Sequence, residues 1–184
     1  TLYSMKEIYI DDISQDSINM NYISSLYSEN SFDISFVFKS DFKNSKILRD
    51  YLFMIFEFLW LDLIWKNRFI LIVDELNNNA IEYGSKENDI NILHFTSKSE
   101  DNQIFITIEV QDAGTGISAK TAAEMEELRI QRLQKWFENH NSIRGRGLFL
   151  IITKLVDRLY FKDSWEKGLI VGVEKNIQII KKDV

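Results

Sequence analysis

Apolar and polar positions along the chain change period several times, and each change marks an element. In "FDISFVFKS" (32–40), Phe32, Ile34, Phe36 and Phe38 alternate with their neighbours, which predicts a strand with one apolar side. A helical period follows. Ser45 can cap a helix running to about Leu59. A second helix is expected from about Leu61 to Tyr83, stopped by Gly84 at the position of a C-terminal cap. "DINILHF" (89–95) and "QIFITIEV" (103–110) read as strands, with the polar "TSKSEDN" as their turn. A charged helix is expected from about Lys120 to Asn139. "RGRGLFLIITKLVDRL" then reads as a glycine turn entering an apolar helix. Two last strands lie near "LYFKD" and "LIVGVEKNIQII". Residues 1–31 are weakly patterned and read as an N-terminal arm or lead-in, ahead of a domain over 32–184. Adjacent strands joined by short turns pair antiparallel and leave the helices on one face. The fold class is therefore α+β, a two-layer sandwich.

The most apolar stretch, "YLFMIFEFLWLDLIW" (51–65), is too short for a membrane span, which needs about 20 mostly apolar residues, and Glu57 and Asp62 interrupt it. A helix buried on most sides is the favoured reading, and an exposed partner surface the lesser one. With 45% apolar residues in 184, the chain can build a sizeable core. A net charge of −6 argues against a phosphate-binding surface for nucleic acid as the main function. The absence of cysteine removes disulfides, thiolate metal sites and cysteine nucleophiles, and suits a reducing cytoplasm. His94 and His140 are too few for a histidine-rich metal site.

Candidate chemistry begins in "DELNNNAIEYG" (74–84). Asn costs a helix interior roughly 0.6 kcal/mol relative to Ala, and three stand together here. At about 100° per residue, Glu75, Asn78, Asn79 and Glu82 share one side of the helix, while Phe69, Ile72, Val73, Leu76, Ala80 and Tyr83 share another. The apolar stripe is intact, so packing can hold the helix. A merely solvated face normally uses Lys, Glu and Gln instead. Glu75 and Asn79, one turn apart, place a hard oxygen ligand beside a carboxylate base, the donor set that Mg²⁺ on a nucleotide accepts. Asn77 falls off the polar side and receives no functional account.

Two glycine turns follow. "VQDAGTGISA" fits the dinucleotide fingerprint on paper, but a charged helix follows instead of a second parallel strand, and Asp112 would repel a pyrophosphate. The Rossmann reading is discounted. "RGRGLFL" places Gly145 and Gly147 at a helix start, where bare backbone N–H groups attract phosphate, and Arg144 and Arg146 add to that field.

ExxxN on a helix, DxGxGI after a strand and GxGL opening a helix, in this order, resemble the GHKL ATPase superfamily, which includes gyrase and the histidine kinases, across about residues 32–181. Within it the compact layout looks most like the bacterial anti-sigma-factor serine kinases, which carry Glu where histidine kinases usually place Asn. The resemblance implies ATP and Mg²⁺ as cofactors and a histidine-kinase-like ATPase fold. It implies that Glu75 is the base, that Asn79 ligates Mg²⁺, and that Asp112 accepts from the adenine amino group. Gly114, Gly116 and Ile117 would shape the nucleotide loop. Arg144, Gly145, Arg146, Gly147 and Leu148 would close over the phosphates, with a lid at about 118–146. Within that lid, Met125, Leu128, Trp136 and Phe137 are expected to pack on the domain, with packing on a partner as the lesser reading. One departure stands out: Leu169 occupies the position where the family commonly has a Thr near adenine. The implied partners are an anti-sigma antagonist of the STAS type and a sigma factor, with a homodimer compatible. The alternatives are a non-catalytic ATP-sensing module, or the ATP-binding domain of a sensor histidine kinase.

Overall fold

The computed structural model describes residues 5–12, 19–138 and 148–179, with backbone alone for 135–138 and 148–151. Six strands, β1 (Lys6–Tyr9), β2 (Ser31–Lys39), β3 (Ile90–Glu100), β4 (Gln103–Gln111), β5 (Arg158–Asp163) and β6 (Leu169–Gln178), make one sheet in the order β1-β2-β3-β4-β6-β5. Only the β1–β2 pair is parallel. Among the described residues, five α-helices accompany it: α1 (Met20–Leu26), α2 (Phe42–Phe58), α3 (Leu63–Asn79), α4 (Ala122–Glu138) and α5 (Leu148–Leu155). The α+β class expected from the pattern is the class observed.

The alternation in β2 does what its period requires. Phe32, Ile34, Phe36 and Phe38 are all buried, and β3 answers with Leu93 and Phe95 opposite Phe36 and Ile34. Phe56 of α2 links the layers, with its ring 5.9 Å from Phe95 on the sheet and 5.3 Å from Phe69 on α3. Burying such a side chain contributes about 1.5–3 kcal/mol. These contacts fix α3 against the sheet by its apolar stripe, with Phe69, Ile72, Val73 and Leu76 buried.

Several boundaries differ from expectation. The first long helix starts at Asp41, whose carboxylate accepts from the Lys43 N–H, and Ser45 lies buried inside the helix. A carboxylate at the N-cap also meets the positive end of the helix dipole. The polar "TSKSEDN" is mostly strand: β3 runs to Glu100, and Asp101, with φ 52°, and Asn102 alone make the turn. Polar residues mislead there because one sheet face is open to water. Within the stretch read as an arm, Lys6–Tyr9 pairs with β2 while Ile8, Ile10, Ile23 and Leu26 enter the core. Four residues are too few for a period to be visible.

Residues 51–65 do not form one helix. The chain turns at 59–62, with Trp60 at φ 56° and Asp62 capping α3 through the Trp65 N–H at 2.8 Å. Trp60, Leu63 and Ile64 are exposed at this corner. Among the described residues, no helix is long and apolar enough to cross a membrane.

Candidate functional site

Past Asn79 the helix widens into a single π-helical turn, Ala80–Gly84. Such turns recur beside functional sites because the wider spiral re-aims side chains. Gly84 is not the left-handed cap that the sequence suggested. A Cβ there would overlap the Asp112 carboxylate, so glycine is required for close approach of the helix end to β4. Ser85 then stitches the loop together: it donates to Asn91 Oδ1 at 2.6 Å and accepts from the Ala113 N–H at 2.8 Å.

A cavity of about 380 Å³ opens between α3, the ends of β4 and β6, and α4. Leu76, Ala80, Val110, Leu169 and Val171 line an apolar slot, and Asp112, which the Leu169 N–H contacts, lines the cavity with them. Glu75 and Asn79 line the same cavity from α3. Asn79 Nδ2 donates to Glu75 Oε1 at 3.2 Å, so the spacing read from the sequence brings amide and carboxylate into contact. Among the described residues nothing donates to the Asn79 carbonyl oxygen.

Asp112 is buried, and its Oδ1 accepts the N–H groups of Gly114 and Leu169, both at 2.9 Å. Burial raises its pKa, and those two backbone donors oppose the shift. With Oδ1 occupied twice, Oδ2 is the acceptor that remains. This chemistry fits an amino group on a flat base better than a phosphate.

The glycines serve that loop. Gly114 has φ +66°, and a Cβ on it would lie 2.6 Å from the Gly168 nitrogen. Gly168, at φ +92°, passes equally close over the Asp112 backbone and was missed in the sequence reading. Gly116 packs against the Tyr83 carbonyl. Gly114 and Gly116 are not part of the cavity wall, and Ile117 is fully exposed and does not line it. Leu169 is buried in the apolar slot.

From the lid region, α4 supplies a wall. Its start is pinned at the sheet edge, where the Ala122 N–H donates to Asp163 Oδ1 at 2.7 Å, and Glu124 folds back to the Thr121 N–H at 2.7 Å as in a capping box. Met125 and Leu128 therefore face the cavity. The Trp136 and Phe137 side chains lie outside the described residues. So do Arg144, Gly145, Arg146 and Gly147, while the Leu148 backbone opens α5. Lys120, Arg129 and Arg132 also line the cavity. A charged helix gave no sequence signal to distinguish them.

The residue set fits a nucleotide with a divalent cation. The apolar slot with one acceptor suits adenine, and Asn79 offers one neutral oxygen. Among the described residues, no group of three or more His, Asp and Glu side chains could hold a metal by itself. Mg²⁺ takes few protein ligands and keeps waters and substrate phosphates as its others.

Residues 65–175 match the sequence profile of the histidine kinase-like ATPase domain. No curated protein matches the chain significantly.

Proposed function

Because the chain belongs to the histidine kinase-like ATPase domain family, and so is an ATP-binding domain, we propose that it is an ATP- and Mg²⁺-dependent protein serine kinase of the anti-sigma-factor type. Its substrate in this reading is a serine on an anti-sigma antagonist of the STAS type, with a sigma factor as second partner. The observation that carries the reading is the Glu75–Asn79 pair in the cavity wall, with a carboxylate at the position where histidine kinases usually have an amide.

The serine hydroxyl attacks the γ-phosphorus, its proton passes to Glu75, the bond from γ-phosphorus to the bridging oxygen breaks, and ADP leaves. The Asn79 carbonyl oxygen would hold Mg²⁺, which would neutralise phosphate charge. Asp112 holds the base, and the apolar slot excludes water from around it. Glu75 is half-buried in the cavity wall and one turn from Asn79, so the base and the metal ligand move as one rigid unit on α3.

The test is transfer. The protein is incubated with γ-labelled ATP, Mg²⁺ and the anti-sigma antagonist encoded nearest to it. Acid-stable label on an antagonist serine supports the kinase. ATP-dependent binding of the antagonist without any transfer replaces it with a non-catalytic ATP sensor.

A further inference from the structure

The peptide that follows Asp112 is held as firmly as its carboxylate. Oδ1 accepts the Gly114 and Leu169 N–H groups, each at 2.9 Å. The Ala113 N–H donates to Ser85 Oγ at 2.8 Å. On the other side, a Cβ on Gly168 would fall 2.0 Å from the Asp112 carbonyl oxygen, so Gly168 packs directly on that peptide. The Ser85 hydroxyl donates its one hydrogen to Asn91 Oδ1 at 2.6 Å, which leaves its lone pairs for Ala113. Asn91 is fully buried in β3, and among the described residues its amide nitrogen has no partner, so its oxygen is what it contributes. Ser85 is buried too. The relay from Asn91 through Ser85 to Ala113 thus runs inside the molecule, where losing one member leaves the others unpaired.

We infer that Ser85 is a positioning residue for base recognition: it fixes the Asp112–Ala113 peptide, aims Asp112 Oδ2, and so sets how strongly the site prefers a base that carries an amino group. The inference rests on the ATP-binding reading of this cavity. Ser85 stands directly after the π-helical turn that follows Glu75 and Asn79. Gly84, just before it, abuts the same carboxylate, and its carbonyl accepts the Thr115 and Gly116 N–H groups at 3.0 and 3.1 Å. The loop after Asp112 is therefore docked on the end of the helix that carries the Glu75–Asn79 pair. Without the hydroxyl, the Ala113 N–H and Asn91 Oδ1 lose their partners together, and the peptide turns to find others. A turned peptide swings Oδ2 off the line of an amino hydrogen. Hydrogen bonds weaken steeply with angle, whereas apolar contacts in the slot are non-directional.

The test measures, by calorimetry on the full chain with Mg²⁺, the affinities for ATP and for purine riboside triphosphate, which is ATP without the amino group. The proteins are the wild type, Ser85→Ala, Ser85→Cys and the control Thr115→Val, with folding checked by circular dichroism. The Thr115 hydroxyl ties the same loop further along, accepting from the Lys86 N–H at 3.1 Å and donating to Asp89. Ser85→Ala should weaken ATP about tenfold or more and the analogue about twofold or less. Thr115→Val should leave the ratio of the two affinities at its wild-type value. A thiol is only a weak donor and acceptor, so Ser85→Cys should lower the ratio as well, and it carries the test if Ser85→Ala does not fold. An unchanged ratio in a folded Ser85 variant, or an equal fall in Thr115→Val, overturns the inference while ATP binding stands, because a general loosening weakens both nucleotides together. A wild type that binds neither nucleotide refutes the reading of the cavity itself.

Discussion

Asn79 donates one amide hydrogen to Glu75 at 3.2 Å, across one turn of the same helix. Only the nitrogen of the amide can face a carboxylate oxygen, so the contact fixes which way the Asn79 side chain is turned. Its carbonyl oxygen is thereby turned away from that contact without a separate orienting residue. Asn at this position costs the helix a little stability, and the apolar stripe on the opposite side offsets it.

The base pocket should discriminate sharply. Asp112→Asn can keep its carbonyl oxygen on the Gly114 and Leu169 N–H groups, so the fold should survive. The amide nitrogen then replaces Oδ2 and meets the adenine amino group as donor against donor, costing about 2 kcal/mol or more. Calorimetry should show wild type preferring ATP strongly over GTP, and the Asn variant losing ATP about thirtyfold while its preference over GTP shrinks. Equal wild-type affinities for the two nucleotides would remove the adenine assignment.

A second prediction concerns pH and the open face of the sheet. His94 Nε2 lies 2.8 Å from Asp33 Oδ1, and its Nδ1 lies 3.6 Å from Glu109 Oε2. Glu109 also accepts from the Tyr160 hydroxyl at 2.6 Å and from Lys162 at 3.0 Å. Two carboxylates can both be satisfied only by imidazolium. The Glu109 contact, then Asp33, raise the His94 pKa against the opposing effect of burial. The His94 contact holds Glu109 down to about 2. The histidine contribution is complete below the ordinary imidazole value of about 6.5 and fades as pH rises through its raised value. The glutamate contribution is complete above about 4.5 and fades as pH falls toward 2. Wild type should therefore lose Tm from pH 6 to pH 9 more steeply than His94→Gln. Parallel curves from thermal melts would show that the network does not couple to folding.

Asn77 supplies a stability prediction. It is fully buried, and among the described residues neither its amide nitrogen nor its carbonyl oxygen has a hydrogen-bond partner. A buried unsatisfied polar group costs about 1–3 kcal/mol. Asn77→Leu, close in volume, should raise stability in urea melts by about 1 kcal/mol or more and leave ATP affinity unchanged. Lower stability or lost ATP binding in that variant would give the amide a role that the fold does not reveal.

Much of this arrangement was legible in the chain. The phenylalanine alternation of β2 and the stripe on α3 are long and strongly periodic, and both formed as read. So did the pairing of Glu75 with Asn79, because a separation of four on a helix admits one geometry. Other features depend on contacts that no local pattern encodes. Gly84 looked like a cap, but it is required because Asp112, from another element, comes close to it. Ser45 looked like a helix start, although Asp41 sits one turn earlier with a better acceptor. β1 became visible only through its pairing with β2. Arg132 was one charge among many until the fold carried α4 to the cavity wall.

The most direct measurement separates binding from chemistry at Glu75. Its proposed part is to take the serine proton, which matters in the reaction and little in holding ATP. Glu75→Gln retains an acceptor for the Asn79 amide, so the ligand geometry should persist. ATP affinity by calorimetry should stay within about threefold of wild type, while single-turnover transfer to the antagonist serine should fall about 10²-fold or more. A Gln variant that phosphorylates as fast as wild type would contradict the assignment of Glu75 as the base, and with it the account of the ExxxN turn as the catalytic centre.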